Sequence, residues 1–142
     1  MSTVTTFIDG KTTVSNLGTN FSVVQAEIDF SETNCSASDV VQCLKIAANT
    51  YVRNVGVIVK TAEGATATAT VGDGDGANSW DASTNLNATA GTVTLGLPGT
   101  DAYATAGKFY TAADTIDLTL GHNMDAAKVI VFAEIINIES YA

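Results

Sequence analysis

Basic residues are scarce in this chain. Six lysines and arginines stand against 15 aspartates and glutamates, a net charge of −9 over 142 residues. Such a field repels a phosphate backbone, which argues against nucleic acid as a partner. An anionic membrane surface is disfavoured for the same reason. Histidine occurs once, His122, and it sits in a Gly-His-Asn turn that reads as surface, where a zinc site or a nucleophilic triad would want partners beside it. The two cysteines, Cys35 and Cys43, are too few for a disulfide framework. Cys43 falls within an apolar strand pattern and reads as a small buried hydrophobe. The longest apolar run near the C-terminus, Val129 to Ala133, is too short to span a bilayer. The first ten residues lack a basic segment followed by an apolar run, so synthesis in the cytoplasm without a secretory leader is expected. The acceptor patterns Asn34-Cys35-Ser36 and Asn87-Ala88-Thr89 then carry no weight.

What the chain has instead is threonine and alanine, 21 of each, with a core-forming set of 35 Val, Ile, Leu and Phe. That set is about a quarter of the chain, above the roughly 20% below which disorder is expected. The length suits one domain. Threonine is β-branched and favours strands, and it alternates with apolar residues in Thr66–Val71, Thr92–Leu95 and Thr115–Leu120.

Reading along the chain, residues 1–20 are polar and weakly patterned, with turn signals at Asp9-Gly10 and Asn16-Leu17-Gly18. They form an N-terminal arm or an irregular first strand; residues 21–142 form the domain. Phe21–Phe30 alternates, with Val24, Ala26, Ile28 and Phe30 on one face. In Asp39–Ile46 the pattern groups Val40, Gln42, Leu44 and Ile46. Tyr51–Lys60 turns Val55, Val57 and Val59 to one side. Ala65, Ala67, Ala69 and Val71 oppose Thr66, Thr68 and Thr70, and the Gly72–Gly76 run stops that strand. From there to Gly91 a loop is expected, with at most a short strand near Leu86. Thr92–Leu97 reads as a strand with Val93, Leu95 and Leu97 inward. Lys108–Thr111 and Asp114–Leu120 follow, the latter aligning Ile116, Leu118 and Leu120. Lys128–Ile138 is apolar on both faces, which predicts cover on both.

About eight short strands and no convincing helix predict an all-β, two-sheet antiparallel sandwich of jelly-roll type. An immunoglobulin-like sandwich is the competing topology.

Candidate sites are few. Asp73, Asp75, Asn78 and Asp81 form a weak calcium candidate without the EF-hand spacing, and aspartates alternating with glycine are ordinary turn residues. No cofactor is expected. The carboxylates fall mainly at turns, such as Glu63, Asp73 and Asp125, where nothing in the sequence desolvates them, so an enzyme is not expected. Trp80, Tyr103, Phe109 and Tyr110 lie in or near the longer loops. There they either contact a sugar or a partner, or pin their own loops. Interface candidates are Ile130, Phe132, Ile136 and Ile138 on the second face of the last strand, with Trp80, Tyr103 and Tyr110.

The stretch VVQCLKIAANTYVRNVGVIVKTAEGATATATVGDGDG from Val40, followed by DASTNLNATAGTV, GKFYTAADTIDLTLG and the terminal KVIVFAEI, resembles small structural proteins of tailed bacteriophages. The resemblance runs over roughly residues 38–138. One departure is Ala47, where a proline is expected after Ile46. The resemblance implies a head decoration, or cement, protein with a jelly-roll fold, made in the host cytoplasm and carried on the capsid surface. It implies the major capsid protein as partner and self-association as a dimer or trimer. On this reading Lys128–Ile138 supports the subunit interface and residues 1–20 clamp the shell by strand addition. A carbohydrate-binding sandwich module and a tail or fibre component are the alternatives.

Overall fold

The alternating segments become strands, and their pairing shows how one chain builds two layers. The computed structural model describes residues 3–5, 13–14 and 21–138. Eleven strands occur in chain order: β1 Thr3–Thr5, β2 Thr13–Val14, β3 Phe21–Asp29, β4 Val40–Ile46, β5 Thr50–Thr61, β6 Thr68–Gly72, β7 Asp81–Asn85, β8 Val93–Leu95, β9 Lys108–Tyr110, β10 Asp114–Leu120 and β11 Lys128–Asn137. No helix occurs among the described residues. One sheet has the order β1-β4-β10-β6-β7. The other has β2-β3-β11-β5-β8, with β9 also pairing β5.

Early strands pair with late ones: β3 with β11, β4 with β10, β5 with β8 and β9, β6 with β7. In every pair the partners are equidistant, within a few residues, from the segment Asp75–Trp80. The chain is thus one long antiparallel ribbon with its tip at β6–β7, wound so that successive parts fall in opposite sheets. The pairs β11–β5 and β10–β6 join the turns of the winding. This is the jelly roll, and it decides against the immunoglobulin order.

The core lies between the sheets. Val129, Val131 and Ala133 of β11 and Val52 and Val57 of β5 face Val41, Ile116 and Leu118 of the other sheet, all at most 1% exposed. Trp80, Leu86, Phe30 and Met124 close the ends. Cys43 is buried as expected, and burial pushes its thiol far above its ordinary pKa. His122 sits in its turn and accepts the Thr68 N–H at Nδ1, 3.3 Å.

Three expectations are corrected. In β4 the inward residues are Val41 and Cys43, then Leu44 and Ile46. Asp117 pairs with Gln42 but Ile116 with Leu44, so Cys43 is an extra residue that flips the alternation. Val40 and Gln42 therefore face away from the core. A similar irregularity in β5, where Glu134 pairs with Asn54 and Ile135 with Val52, turns Val52 inward along with Val55. The short strand expected near Leu86 is present as β7, Asp81–Asn85, although its polar sequence gives little hydrophobic pattern. Val93, Leu95 and Leu97 point outward, 54%, 42% and 62% exposed, because β8 pairs Val93 with Ile58 and Leu95 with Gly56 on the outer side of β5.

The third correction concerns the turn carboxylates, several of which are desolvated. Glu63 and Asp73 are buried, with Asp81, Asp101 and Asp117. Glu63, Asp73, Asp81 and Asp101 accept backbone N–H groups that the strands do not satisfy, whereas Asp117 accepts from the Thr115 hydroxyl. Glu63 accepts N–H bonds from Asp125, Ala126 and Ala127 at 2.7–3.1 Å. Asp101 accepts from Leu97 at 2.7 Å and Ala82 at 3.1 Å.

Of the arm, β1 pairs parallel with β4 and β2 antiparallel with β3, so the described part adds strands to the chain's own two sheets. The turn signals at Asp9-Gly10 and Asn16-Leu17-Gly18 lie outside the described residues.

Candidate interaction surface

β11 is the centre of its sheet, and its alternation decides what that sheet shows to the outside. Val129, Val131 and Ala133 go inward with no exposure. Ile130, Phe132, Glu134 and Ile136 therefore go outward. Register supplies their neighbours. Ile130 lies between Glu27 and Ile58, Phe132 between Gln25 and Gly56, Glu134 between Val23 and Asn54, and Ile136 between Phe21 and Tyr51. β8 extends two of these rows, Val93 beside Ile58 and Leu95 beside Gly56.

The result is an outer face with two apolar zones. One joins Val93, Leu95, Ile58, Ile130 and Phe132. The other joins Ile136, Phe21 and Val23, the last two 38% and 39% exposed. Gly56 shapes the first: the Phe132 ring and the Leu95 Cδ2 occupy the space a Cβ would need. Charge reaches this face at Glu134 and at Glu27, the neighbour of Ile130. Glu27 pairs with exposed Lys60 at 3.0 Å and Asp29 with Lys128 at 3.4 Å. The outer side of the other sheet is different in kind, with Thr70 beside Thr119 and Gln42 beside Asp117. An apolar sheet face on a chain this acidic is suited to contact with another surface.

The structure brings Ile130, Phe132 and Ile136 together on this face. Ile138 follows the strand, half-buried, and its N–H donates to Asn49 O at 2.9 Å. Trp80 and Tyr110, grouped with them in the sequence, are 1% and 2% exposed and belong to the core. They pin loops and offer no stacking surface. Trp80 Nε1 donates to the Tyr110 hydroxyl at 3.1 Å, and Tyr103, partly buried, meets Trp80 edge-on at 5.3 Å. Val93, Leu95 and Ile58 were missed as surface residues; the exposed side of β8 has no local signal, because only its pairing to β5 sets which way it faces.

A second constellation ties the two sheets at one end. Asp73, at the turn after β6, accepts from Lys108 Nζ at 2.8 Å, from the Tyr110 hydroxyl at 2.7 Å and from the Asp75 and Gly76 N–H groups. Lys108 also donates to Asp75 at 2.8 Å, and its ammonium lies 4.8 and 4.6 Å from the Tyr103 and Tyr110 ring centres. Burial alone would raise Asp73, but the Lys108 and Tyr110 bonds hold it below the usual carboxylate range. Burial opposes charge on Lys108 too, yet Asp73 and Asp75 raise it. Asp117 lacks such a partner. Burial pushes it up to about 6, opposed by the Thr115 hydroxyl bond and aided by Asp114 and Asp73.

Of the calcium candidates, Asp73 and Asp75 do come together, with one oxygen of each and of Asp114 within 4.8 Å of one another. Asp81 instead accepts from its own Ser83 N–H and Thr84 hydroxyl, and Asn78 is exposed. Asp114 arrives from β10, so sequence spacing did not reveal it. The cation bonded to Asp73 and Asp75 is Lys108 itself.

The fold is shared with chains of bacteriophage capsid structures. A chain of the capsid of Ralstonia phage GP4 aligns with a TM-score of 0.65 over 95% of this chain and 97% of that one, at 12% identity. A chain of the cyanophage Pam1 capsid asymmetric unit gives 0.60 over 87% and 89%, at 15% identity. One from the acidic stable capsid structure of Helicobacter pylori bacteriophage KHP30 gives 0.59 over 82% and 86%, at 14% identity. No protein-family model and no curated protein matches the chain.

Proposed function

We propose that this chain is a virion structural protein that decorates or cements the outer surface of a bacteriophage capsid, bridging capsomers and stabilising the head. The observation that carries the reading is the apolar outer face of the β11 sheet, on a fold shared nearly end to end with chains from phage capsids. The described carboxylates support it by their use: Glu63, Asp73 and Asp101 hold loops and sheets together. Mechanically, stabilisation comes from interface area. Phe132, Ile130, Val93 and Leu95 lose water against a neighbour, each fully covered side chain contributing on the order of 1.5–3 kcal/mol before association costs. The partners are the major capsid protein and further copies of the chain, as a dimer or trimer, on the virion surface.

The test is a binding experiment with shells that lack the protein. Phe132→Asp and Ile136→Lys point outward and leave the core intact, so both variants fold. They are expected to lose oligomers and to stop co-sedimenting with shells. Variants that fold and bind as the parent does would remove this face from the account. A sugar-binding reading through Trp80, Tyr103 or Tyr110 is not favoured, since Trp80 and Tyr110 are enclosed and the partly buried Tyr103 ring is engaged by Trp80 and Lys108.

A further inference from the structure

Resting on the reading of the outer β11 face as an interface, we infer that its occupant is a second copy of this chain. The two faces pack against each other about a two-fold axis, with Arg53 of each copy set against Glu134 of the partner subunit.

The distribution of charge points to a copy. The outward positions of this sheet carry Glu27, Asp29 and Glu134 against Arg53, Lys60 and Lys128, so the face is neutral. Of the chain's other twelve acidic residues, Asp9 and Glu139 lie outside the described residues. The remaining ten stand against two described cations, Lys45 and Lys108. Copies of so acidic a chain repel each other wherever those sides meet, and this face escapes that. Face-to-face packing also separates the opposite sheets, which carry Asp81, Asp114 and Asp117. Three sheet spacings of ~10 Å put them about 30 Å apart, beyond the ~8 Å Debye length.

Strand pairing places the two groups that would meet. Asn54 pairs with Glu134 and Val52 with Ile135, so Arg53 is the extra residue between them, exposed and next to Glu134. Lys60 and Lys128 are already paired within the chain, with Glu27 and Asp29. Arg53 and Glu134 have no ion pair among the described residues. Along β11, Glu134 stands between outward Phe132 and Ile136, where the two apolar zones adjoin. A two-fold axis in the interface plane, passing between Arg53 and Glu134, sets each against the other and covers both zones; the patch is self-complementary. Its size is adequate. β3, β11, β5 and β8 hold nine, ten, twelve and three residues. At ~3.3 Å by ~4.8 Å per residue they tile about 540 Å² before side-chain relief is counted, on the order of the 800 Å² per partner of a stable interface.

The experiment is self-association of the purified full chain, read as mass by sedimentation equilibrium. The parent is expected at twice the chain mass. Arg53→Glu brings two carboxylates together across the axis and Glu134→Arg two guanidinium groups, so each alone weakens self-association about tenfold or more. Mixed, the two variants restore both pairs and give a dimer holding one of each, which also shows that both fold. A parent that stays monomeric, single variants that associate as the parent does, or a mixture that stays monomeric would each overturn the inference. Shell binding keeps the two readings apart. If the parent is monomeric yet Phe132→Asp abolishes co-sedimentation with shells, the face meets the shell, and the capsid reading stands without this occupant.

Discussion

Lys108 Nζ lies 2.8 Å from Asp73 Oδ2 and joins the two sheets, since Lys108 is on β9 beside β5 and Asp73 follows β6. The Asp73 side chain has no exposure and that of Lys108 only 16%. Breaking such a pair leaves a buried charge uncompensated. Lys108→Met is expected to destabilise the fold by about 3 kcal/mol, read as a lower midpoint in urea with unchanged slope. A change under about 0.5 kcal/mol, the usual surface value, would show that the pair is not a staple.

Asp117 predicts a pH dependence of the opposite sign from Asp73. Its folded pKa of about 6 lies above the unfolded 3.8. Its contribution to stability is fully present below 3.8 and is lost as pH rises through about 6. Asp73, held below 3.8, contributes above that value and loses its contribution as pH falls through the lower folded one. Asp117→Asn keeps an oxygen for the Thr115 hydroxyl, which is 2.6 Å away. It should stabilise the protein near neutral pH by about 2 kcal/mol and have little effect below pH ~4. Equal effects at both pH values would contradict the assignment.

Gly96 is fixed by packing. A Cβ there would overlap the Trp80 carbonyl oxygen, which is backbone and cannot swing aside. Gly96→Ala should cost about 2–3 kcal/mol and loosen the contact of Tyr103 with Trp80, seen as altered tryptophan fluorescence. Gly56→Ala is the contrasting case, since only the ends of the Phe132 and Leu95 side chains stand in the way. It should cost about 1 kcal/mol and disturb the outer apolar face more than the fold. Equal losses from the two substitutions would undo the distinction.

Glu63 tests the loop-holding role of the buried carboxylates. Glu63→Ala removes the acceptor of three N–H groups. Amide exchange at Asp125, Ala126 and Ala127 should accelerate well before that of β11. Unchanged protection would mean the loop is held otherwise.

Much of the fold was legible because period-two alternation is local. β3, β5, β6, β10 and β11 were marked by their own apolar residues, and the doubly apolar β11 pointed to the outer face. What was hidden depends on partners distant in sequence. Cys43 looks like any strand residue, and only the pairing with β10 makes it the one that reverses a face. Val93 and Leu95 of β8 look like core, and only the register with Ile58 and Gly56 turns them outward. Asp73 and Asp75 were visible as a pair, but Lys108 and Asp114 reach them from more than 30 residues away. Trp80 and Tyr110 sit beside loops in sequence yet inside the core, because the loops fold over the sandwich end.

The central claim is that this chain is part of an assembled particle, and its place there is directly observable. Gold-labelled antibody against the chain, applied to intact particles and imaged by electron microscopy, is the measurement. The account predicts labelling distributed over the head surface and absent from the tail. Label confined to the tail, or particles that carry none of the protein, would contradict it.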